Sequence, residues 1–312
     1  PISGTGLGSF EISPLIWYTG DLDIYDETYP VRLVDLTHDG RLEIVFVIRD
    51  RTYAYYANGS LYWENLINVN EATEIAIGDL DNDGYDDEIA YHDWGFGLRV
   101  FDNNGSVLNS TDNLYTNAGP IAIGDVDGDG YAEIIMSSTN SLNLTVFKGN
   151  GTKWTKNWSA NFTDSSDGNI LLADMDLDGL LDIVYSDGSH NVSVFNGTGH
   201  KKYSYYDSWN RFRAFEFADL NQDGERKDLV AGGRYRLIGL NRTLSQYWSK
   251  YYVDNAYISE ILALDLDGDG YEDEILFDDI SANGGQLRAI DHLGNDIWNF
   301  TEVSGHVTSL TA

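Results

Sequence analysis

The sequence predicts an all-β fold, a β-propeller of four-stranded blades, and three observations carry that prediction. One pattern recurs six times: an apolar run, Asp-x-Asp-x-Asp-Gly or a near variant, an acid, and a second apolar run. The first acids of the copies are Asp35, Asp79, Asp125, Asp174, Asp219 and Asp265, spaced 44, 46, 49, 45 and 46 residues apart. A period of this size matches one four-stranded blade. No segment shows the 3.6-residue apolar period of a helix, and no linker-like stretch divides the chain. Residues 1–312 are therefore expected to form a single propeller domain.

Each period repeats the same elements. Strand A leads into the acidic loop, and strand B leaves it as a short β-type run such as EIAYH or DIVYS. Strand C follows, as in LRVFDNNG, LTVFKGNG and VSVFNGTG, and ends in Asn and Gly, which tolerate the positive φ of tight hairpins. Strand D carries Trp or Tyr, as in LYWENL, KWTKNW, SYYDSW, SQYW and DIWNF. The ends complete the pattern. Residues 302–312 resemble the start of another strand A, and residues 7–20 resemble strands C and D. Residues 1–30 and 302–312 are expected to form a closing blade shared between the termini, which leaves no open sheet edge. Seven blades is the preferred count, and six with extra terminal strands is the alternative. No strand B or acidic loop is visible for the closing blade, so a neighbouring chain's strand could complete it, a route to self-assembly.

Composition narrows the function. The chain has 51 acidic and 19 basic side chains, a formal charge of −32. Such a chain lacks the clustered cations that displace counterions from nucleic acid. At 42% hydrophobic and 13% aromatic it can bury a core, and no apolar run is long enough to insert in a membrane. With no cysteine, disulfides and thiolate chemistry are excluded. Three sources of the charge compete: a solvated surface, carboxylates committed to cations, and adaptation to high salt.

The acids are in phase, which favours cations. The second loop places carboxylates at positions 1, 3, 5 and 9 (Asp79, Asp81, Asp83, Asp87) and Gly84 at position 6. Oxygen ligands at alternating positions of a tight loop suit calcium, which takes six to eight of them. The third loop offers Asp125, Asp127, Asp129 and Glu133, and the fourth Asp174, Asp176, Asp178 and Asp182. The sixth offers Asp265, Asp267, Asp269 and Asp273. The fifth has Asp219, Asn221 and Asp223, with Lys227 at position 9 and Asp228 one step later. The first has Asp35, Asp39 and Glu43, with Thr37 at position 3. Glu88 and Glu274 at position 10 leave the last ligand of the second and sixth loops open. Backbone carbonyls of Tyr85, Tyr131, Leu180, Glu225 and Tyr271 would serve at position 7. An EF-hand is rejected, because position 12 is apolar or aromatic in all six loops (Phe46, Ala90, Met136, Tyr185, Val230, Leu276). About five or six calcium ions are expected.

On these loops the chain resembles the FG-GAP (VCBS-type) repeats of integrin α-subunit propellers and of many microbial surface proteins. The resemblance covers nearly the whole chain. Its Phe-Gly and Gly-Ala-Pro signatures survive only as a trace at Ala118-Gly119-Pro120. It implies calcium between the first two strands of a blade, and roles in adhesion, recognition or assembly with a protein or glycan partner. Some members are enzymes, including polysaccharide lyases and lipid-cleaving enzymes.

Asn-x-Ser/Thr sequons fall at Asn58, Asn104, Asn109, Asn143, Asn150, Asn157, Asn161, Asn191, Asn196, Asn241 and Asn299. With calcium-dependent loops they point to an extracellular or cell-surface glycoprotein. Glycosylation without cysteine in an acidic chain fits a microbial, archaeal surface. The numbering, starting at Pro1, is expected to begin after processing.

No catalytic motif stands out. The six histidines (His38, His92, His190, His200, His292, His306) share no repeat position or metal-ligand spacing. Arg211, Arg213, Arg234 and Arg236 form the only basic cluster of note. A non-enzymatic module is expected, and a lyase-like polysaccharide-active enzyme is the alternative. Trp63, Trp154, Trp158, Trp209, Trp248 and Trp298 fall in or beside D strands and are expected to pack between blades. The off-pattern segment from His92 through Trp94 to Gly97 is a candidate glycan platform.

Overall fold

The computed structural model describes residues 30–48, 51–66, 72–93, 97–110, 118–138, 142–151, 153–162, 168–188, 190–252, 257–281 and 284–303. These residues form six antiparallel four-stranded sheets and no helix. Blade 1 holds β1 (Val31–Val34), β2 (Glu43–Ile48), β3 (Arg51–Tyr55) and β4 (Leu61–Leu66). Blade 2 holds β5 (Ala72–Gly78), β6 (Glu88–Asp93), β7 (Gly97–Phe101) and β8 (Val107–Ser110). Blade 3 holds β9 (Ala118–Gly124), β10 (Glu133–Ser138), β11 (Asn143–Lys148) and β12 (Thr155–Asn161). Blade 4 holds β13 (Ile170–Ala173), β14 (Asp182–Ser186), β15 (Asn191–Phe195) and β16 (Lys201–Tyr206). Blade 5 holds β17 (Phe212–Ala218), β18 (Asp228–Gly233), β19 (Arg236–Leu240) and β20 (Gln246–Tyr251). Blade 6 holds β21 (Ile261–Leu264), β22 (Glu274–Ser281), β23 (Gly284–Ile290) and β24 (Asp296–Val303).

Every sheet pairs its strands in chain order, so the acidic loops and the C–D hairpins share one face. Six blades is the alternative count of the sequence. Residues 302 and 303 do not begin a new strand A: Val303 pairs with Gly285 and extends β24. Residues 1–29 and 304–312, on which the closing blade rests, lie outside the described residues.

Period-2 alternation builds the core. Successive residues of a strand B point to opposite faces of its sheet, and each face meets a different neighbour. Ile134 joins the cluster shared with blade 2, and Ile135 the cluster shared with blade 4. Five such clusters join the six blades in sequence. Among the described residues none joins blade 6 to blade 1, and Leu33, Trp298 and Phe300 are exposed there.

Three D-strand tryptophans pack between blades and reach the next hairpin, whereas Trp298 of β24 is 40% exposed. Trp63, Trp158 and Trp248 donate their indole N–H to the carbonyls of Asn103, Gly197 and His292, at 2.7–2.8 Å. A hairpin glycine lies beneath each ring. A Cβ at Gly105, Gly199 or Gly294 would come 2.6, 2.9 or 3.1 Å from the indole, and all three have φ near +80. Trp154 precedes β12 and is buried, whereas Trp209 stands in a turn and is 70% exposed.

Gly105→Ala is expected to destabilise the fold by about 2–4 kcal/mol, combining left-handed strain with the clash against Trp63. Gly40→Ala has the same strain and open space around it, so about 1–2 kcal/mol is expected. Denaturant unfolding of the two variants checks the difference, and equal losses would show that the ring contact adds nothing.

The acidic loops as candidate cation sites

Each loop is folded by its own carboxylates. The position-1 aspartate caps the backbone N–H groups of the turn. Asp79 accepts from Asp83 (3.1 Å) and Gly84 (3.0 Å), and Asp174 accepts from Asp178 and Gly179 (both 3.0 Å). Asp35 and Asp219 do the same. Asp125 and Asp265 reach positions 4 and 6 instead. The position-5 aspartate accepts from the N–H of position 7, as Asp129 does from Tyr131 at 3.0 Å. Positions 4 and 6 both take positive φ. Gly fills position 6 in all six loops, while His38, Asn82, Leu177 and Gln222 adopt it at position 4.

This geometry gathers like charge. Carboxylate oxygens of Asp79, Asp81 and Asp83 lie within 4.8 Å of one another, as do those of Asp265, Asp267 and Asp269. In loops 3 and 4 the groups are Asp125, Asp127 and Glu133, and Asp174, Asp176 and Asp182. These are the four loops with the full Asp-x-Asp-x-Asp pattern. Loops 1 and 5, with Thr37 and Asn221 at position 3, form no such trio among the described residues.

The acid that closes each loop is the first residue of its strand B. It accepts the N–H of position 2 or 3: Leu36 to Glu43 (3.0 Å), Val126 to Glu133 (3.1 Å), Met175 to Asp182 (3.2 Å) and Asn221 to Asp228 (3.1 Å). In loops 2 and 6 this residue is Glu88 or Glu274, bonded by Leu80 or Leu266 at 2.7 Å. Loops 2, 5 and 6 are one residue longer, so Glu88, Asp228 and Glu274 take the strand-start place that Glu43, Glu133 and Asp182 hold in the others. Burial, the leading cause, raises these carboxyls against their ordinary values. Glu88 rises to about 9, Glu133 and Glu274 to about 7, and Asp228 to about 6. Neighbouring carboxylates add to the rise.

Asp87 and Asp273, at position 9 of loops 2 and 6, are buried and bridge to other elements. Asp87 Oδ2 meets His38 Nε2 (2.5 Å) and Asn103 Nδ2 (2.9 Å). Asp273 Oδ2 meets His292 Nδ1 (3.2 Å) and Gln222 Nε2 (2.9 Å). His38 and Gln222 are the position-4 residues of the preceding blade's loop, so loop 1 touches loop 2 and loop 5 touches loop 6. The other oxygens, Asp87 Oδ1 and Asp273 Oδ1, are buried without a hydrogen-bond partner, as is Glu133 Oε1.

Two loops carry their own cation. Lys148 Nζ reaches Asp127 and lies 2.8 Å from Asp129. Lys202 Nζ lies 2.6 Å from Asp176 and 2.8 Å from Asp182. Both lysines flank the C–D hairpin of the same blade, some two dozen residues beyond the loop motif, and the motif gives no sign of them. His38 and His292, which sequence assigned to no role, likewise stand against buried aspartates.

Other expected positions sort by burial. His92 and Asp93 are fully buried, so neither presents a surface to a glycan, and Trp94 to Phe96 lie outside the described residues. Burial lowers the His92 imidazole to about 4. Asn143 is buried in β11, which denies a folded-state acceptor, whereas Asn58, Asn104, Asn150, Asn157, Asn161 and Asn299 are exposed. Asn58, Asn196 and Asn241 use their side-chain oxygens to bond the hairpin Ser or Thr two residues on.

Lys202→Met is expected to cost the metal-free protein about 3 kcal/mol, because it leaves the buried Asp182 without its cation. Urea unfolding in chelator measures it, and an unchanged midpoint would show that Lys202 is not a counterion.

Residues 125–185, from loop 3 through loop 4 to β14, match the FG-GAP-like repeat family. Among curated proteins none matches the chain in sequence. Solved structures share its shape at low identity. Saccharomyces cerevisiae Sqt1 has a TM-score of 0.69 at 8% identity, over 91% of this chain and 77% of that one. The rhamnogalacturonan lyase of Bacillus licheniformis has a TM-score of 0.61 at 17% identity, over 87% of this chain and 57% of the lyase. BamB from Moraxella catarrhalis has a TM-score of 0.59 at 14% identity, over 91% and 78%. The chain has a β-propeller fold, and within it residues 125–185 match the FG-GAP-like repeat family.

Proposed function

We propose that the chain is a calcium-stabilised propeller that works at the cell surface as an adhesion, recognition or assembly module. The observation that carries the calcium part is the set of buried, unpartnered oxygens of Asp87, Glu133 and Asp273 in loops already crowded with carboxylates. Such oxygens cost free energy unless a cation meets them. The donors are all hard oxygens, which suits calcium and offers nothing to a soft metal. Asp79, Asp81 and Asp83 would hold one ion, and Asp125, Asp127 and Glu133 a second. Asp174, Asp176 and Asp182 would hold a third, and Asp265, Asp267 and Asp269 a fourth. Loop 5, through Asp219, Asn221, Asp223 and Asp228, and loop 1, through Asp35, Asp39 and Glu43, bring the total to five or six.

Extracellular calcium, commonly bound by such modules at ~10⁻⁴–10⁻³ M, supports a location outside the cell, as do the exposed sequons. Trp298 supports assembly. It sits opposite Ala289 as Trp63 sits opposite Ala54, yet it is 40% exposed. A further hairpin, from this chain or a neighbour, would complete that contact.

Bound-metal analysis after dialysis against millimolar calcium tests the core of the reading. At least four ions per chain are expected, falling by one in Asp265→Asn/Asp267→Asn. Fewer than two ions in the parent chain would contradict it. A second reading, a polysaccharide-active enzyme, draws on the likeness to rhamnogalacturonan lyases. Release of unsaturated products from acidic glycans would favour it.

A further inference from the structure

The four loops with a carboxylate trio differ in what stands where their oxygens converge. In loop 4 the trio is Asp174, Asp176 and Asp182. Lys202 Nζ lies 2.6 Å from Asp176, 2.8 Å from Asp182 and 3.4 Å from Asp178, and its side chain is only 13% exposed. One ammonium thus serves two acids of the trio and a third beside it. In loop 3 the trio is Asp125, Asp127 and Glu133. Lys148 reaches Asp127 and lies 2.8 Å from Asp129, but it is 38% exposed, and a buried oxygen of Glu133 has no hydrogen-bond partner. In loops 2 and 6 no trio carboxylate pairs with Lys or Arg among the described residues. Arg226 pairs with Glu272 of loop 6, an acid outside the trio.

The strand register shows where the difference arises. Lys148 follows Phe147, which pairs with Ile134. In blades 2 and 6 the matching strand-C residues are Phe101, paired with Ile89, and Ile290, paired with Ile275. The residues that follow them are Asp102 and Asp291. Blade 3 therefore puts a cation where blades 2 and 6 put an acid. Lys202 follows Lys201, which pairs with Phe195. In blades 2 and 6 the residues that follow the matching Val107 and Asp296 are Leu108 and Ile297, which carry no charge.

We propose that Lys148 and Lys202 divide the calcium sites into two classes, so that loops 2 and 6 fill first and loops 3 and 4 fill at higher calcium. Calcium takes its oxygens at ~2.3–2.6 Å. An ammonium 2.6 and 2.8 Å from two oxygens of the loop 4 trio occupies the same space, so the ion must displace it. The displaced lysine stays tethered nearby and repels the divalent charge. Lys148, more exposed and bonded to only one member of its trio, leaves more easily, so loop 3 fills before loop 4. The inference rests on the calcium reading above and adds an order of filling. Loops 2 and 6, whose buried aspartates bridge to blades 1 and 5, respond to calcium first, while blades 3 and 4 carry counterions of their own.

Equilibrium dialysis of the full chain against graded free calcium, with bound metal counted, tests the order. The parent chain is expected to take two ions in a first step and the rest in a second, which includes loops 1 and 5 because they lack a trio. Lys202→Met is expected to bring one ion to about tenfold lower calcium, and Lys148→Met one ion to calcium lower by about threefold. Lys153→Met, at an exposed lysine outside the loops, is expected to change nothing. Asp79→Asn/Asp81→Asn should remove an ion from the first step and Asp174→Asn/Asp176→Asn one from the second, which keeps the test decisive if a methionine variant does not fold. A single class of sites in the parent chain would overturn the proposal and leave the calcium reading standing. So would methionine variants that bind calcium no more tightly than the parent. Fewer than two ions at saturation would overturn both.

Discussion

The fold depends on how convergent carboxylates are compensated at the turn between strands A and B. Each loop spends its own acids on backbone N–H groups: position 1 caps the turn, position 5 caps position 7, and the first residue of strand B ties back to position 2 or 3. These bonds shape the loop, but they also bring three carboxylates within 4.8 Å in four of the six copies. The same charges that fold the turn therefore repel one another. Lys148 and Lys202 offset that repulsion in loops 3 and 4. In loops 2 and 6 the bridging histidines and amides leave a buried oxygen unmatched. A divalent cation would resolve both situations with one kind of ligand set.

The compensated loops also join the blades. The side chains of His38 and Gln222 reach from one loop to the next loop's buried aspartate. The indole contacts of Trp63, Trp158 and Trp248 do the same for the C–D hairpins on that face. Beneath them, alternating strand-B residues feed a separate core on each side. Core packing acts at all five described interfaces, the indole contact at three of them and the loop bridge at two, between blades 1 and 2 and between blades 5 and 6, so weakening loop 2 or loop 6 should loosen a blade pair rather than a turn alone.

Much of this was legible in the sequence, because it is written at fixed offsets within one period. The blades and the carboxylate trios follow from the 44- to 49-residue spacing, the Asp positions and the position-6 glycine. The closing acid was harder, because an extra residue in loops 2, 5 and 6 shifts it, and only the strand register shows that Glu88 and Glu274 correspond to Glu133. Lys202, His38 and Gln222 were illegible for another reason. Lys202 lies 20 residues from Asp182 (202 − 182), and the partners of His38 and Gln222 lie 49 and 51 residues away, across a hairpin or a blade boundary, and no local motif records such contacts. Asn143 shows the reverse: a sequon visible in sequence whose side chain the fold buries.

The central claim is that a cation compensates the loops, and thermal unfolding with millimolar calcium and then with excess chelator tests it most directly. Binding confined to the folded state adds about 1.4 kcal/mol per site at ten times Kd, so four sites give about 6 kcal/mol. The account predicts a large fall in midpoint on chelation, restored by added calcium. An unchanged midpoint in protein shown to carry no metal would contradict it, and would leave the loops as turns shaped by hydrogen bonds alone.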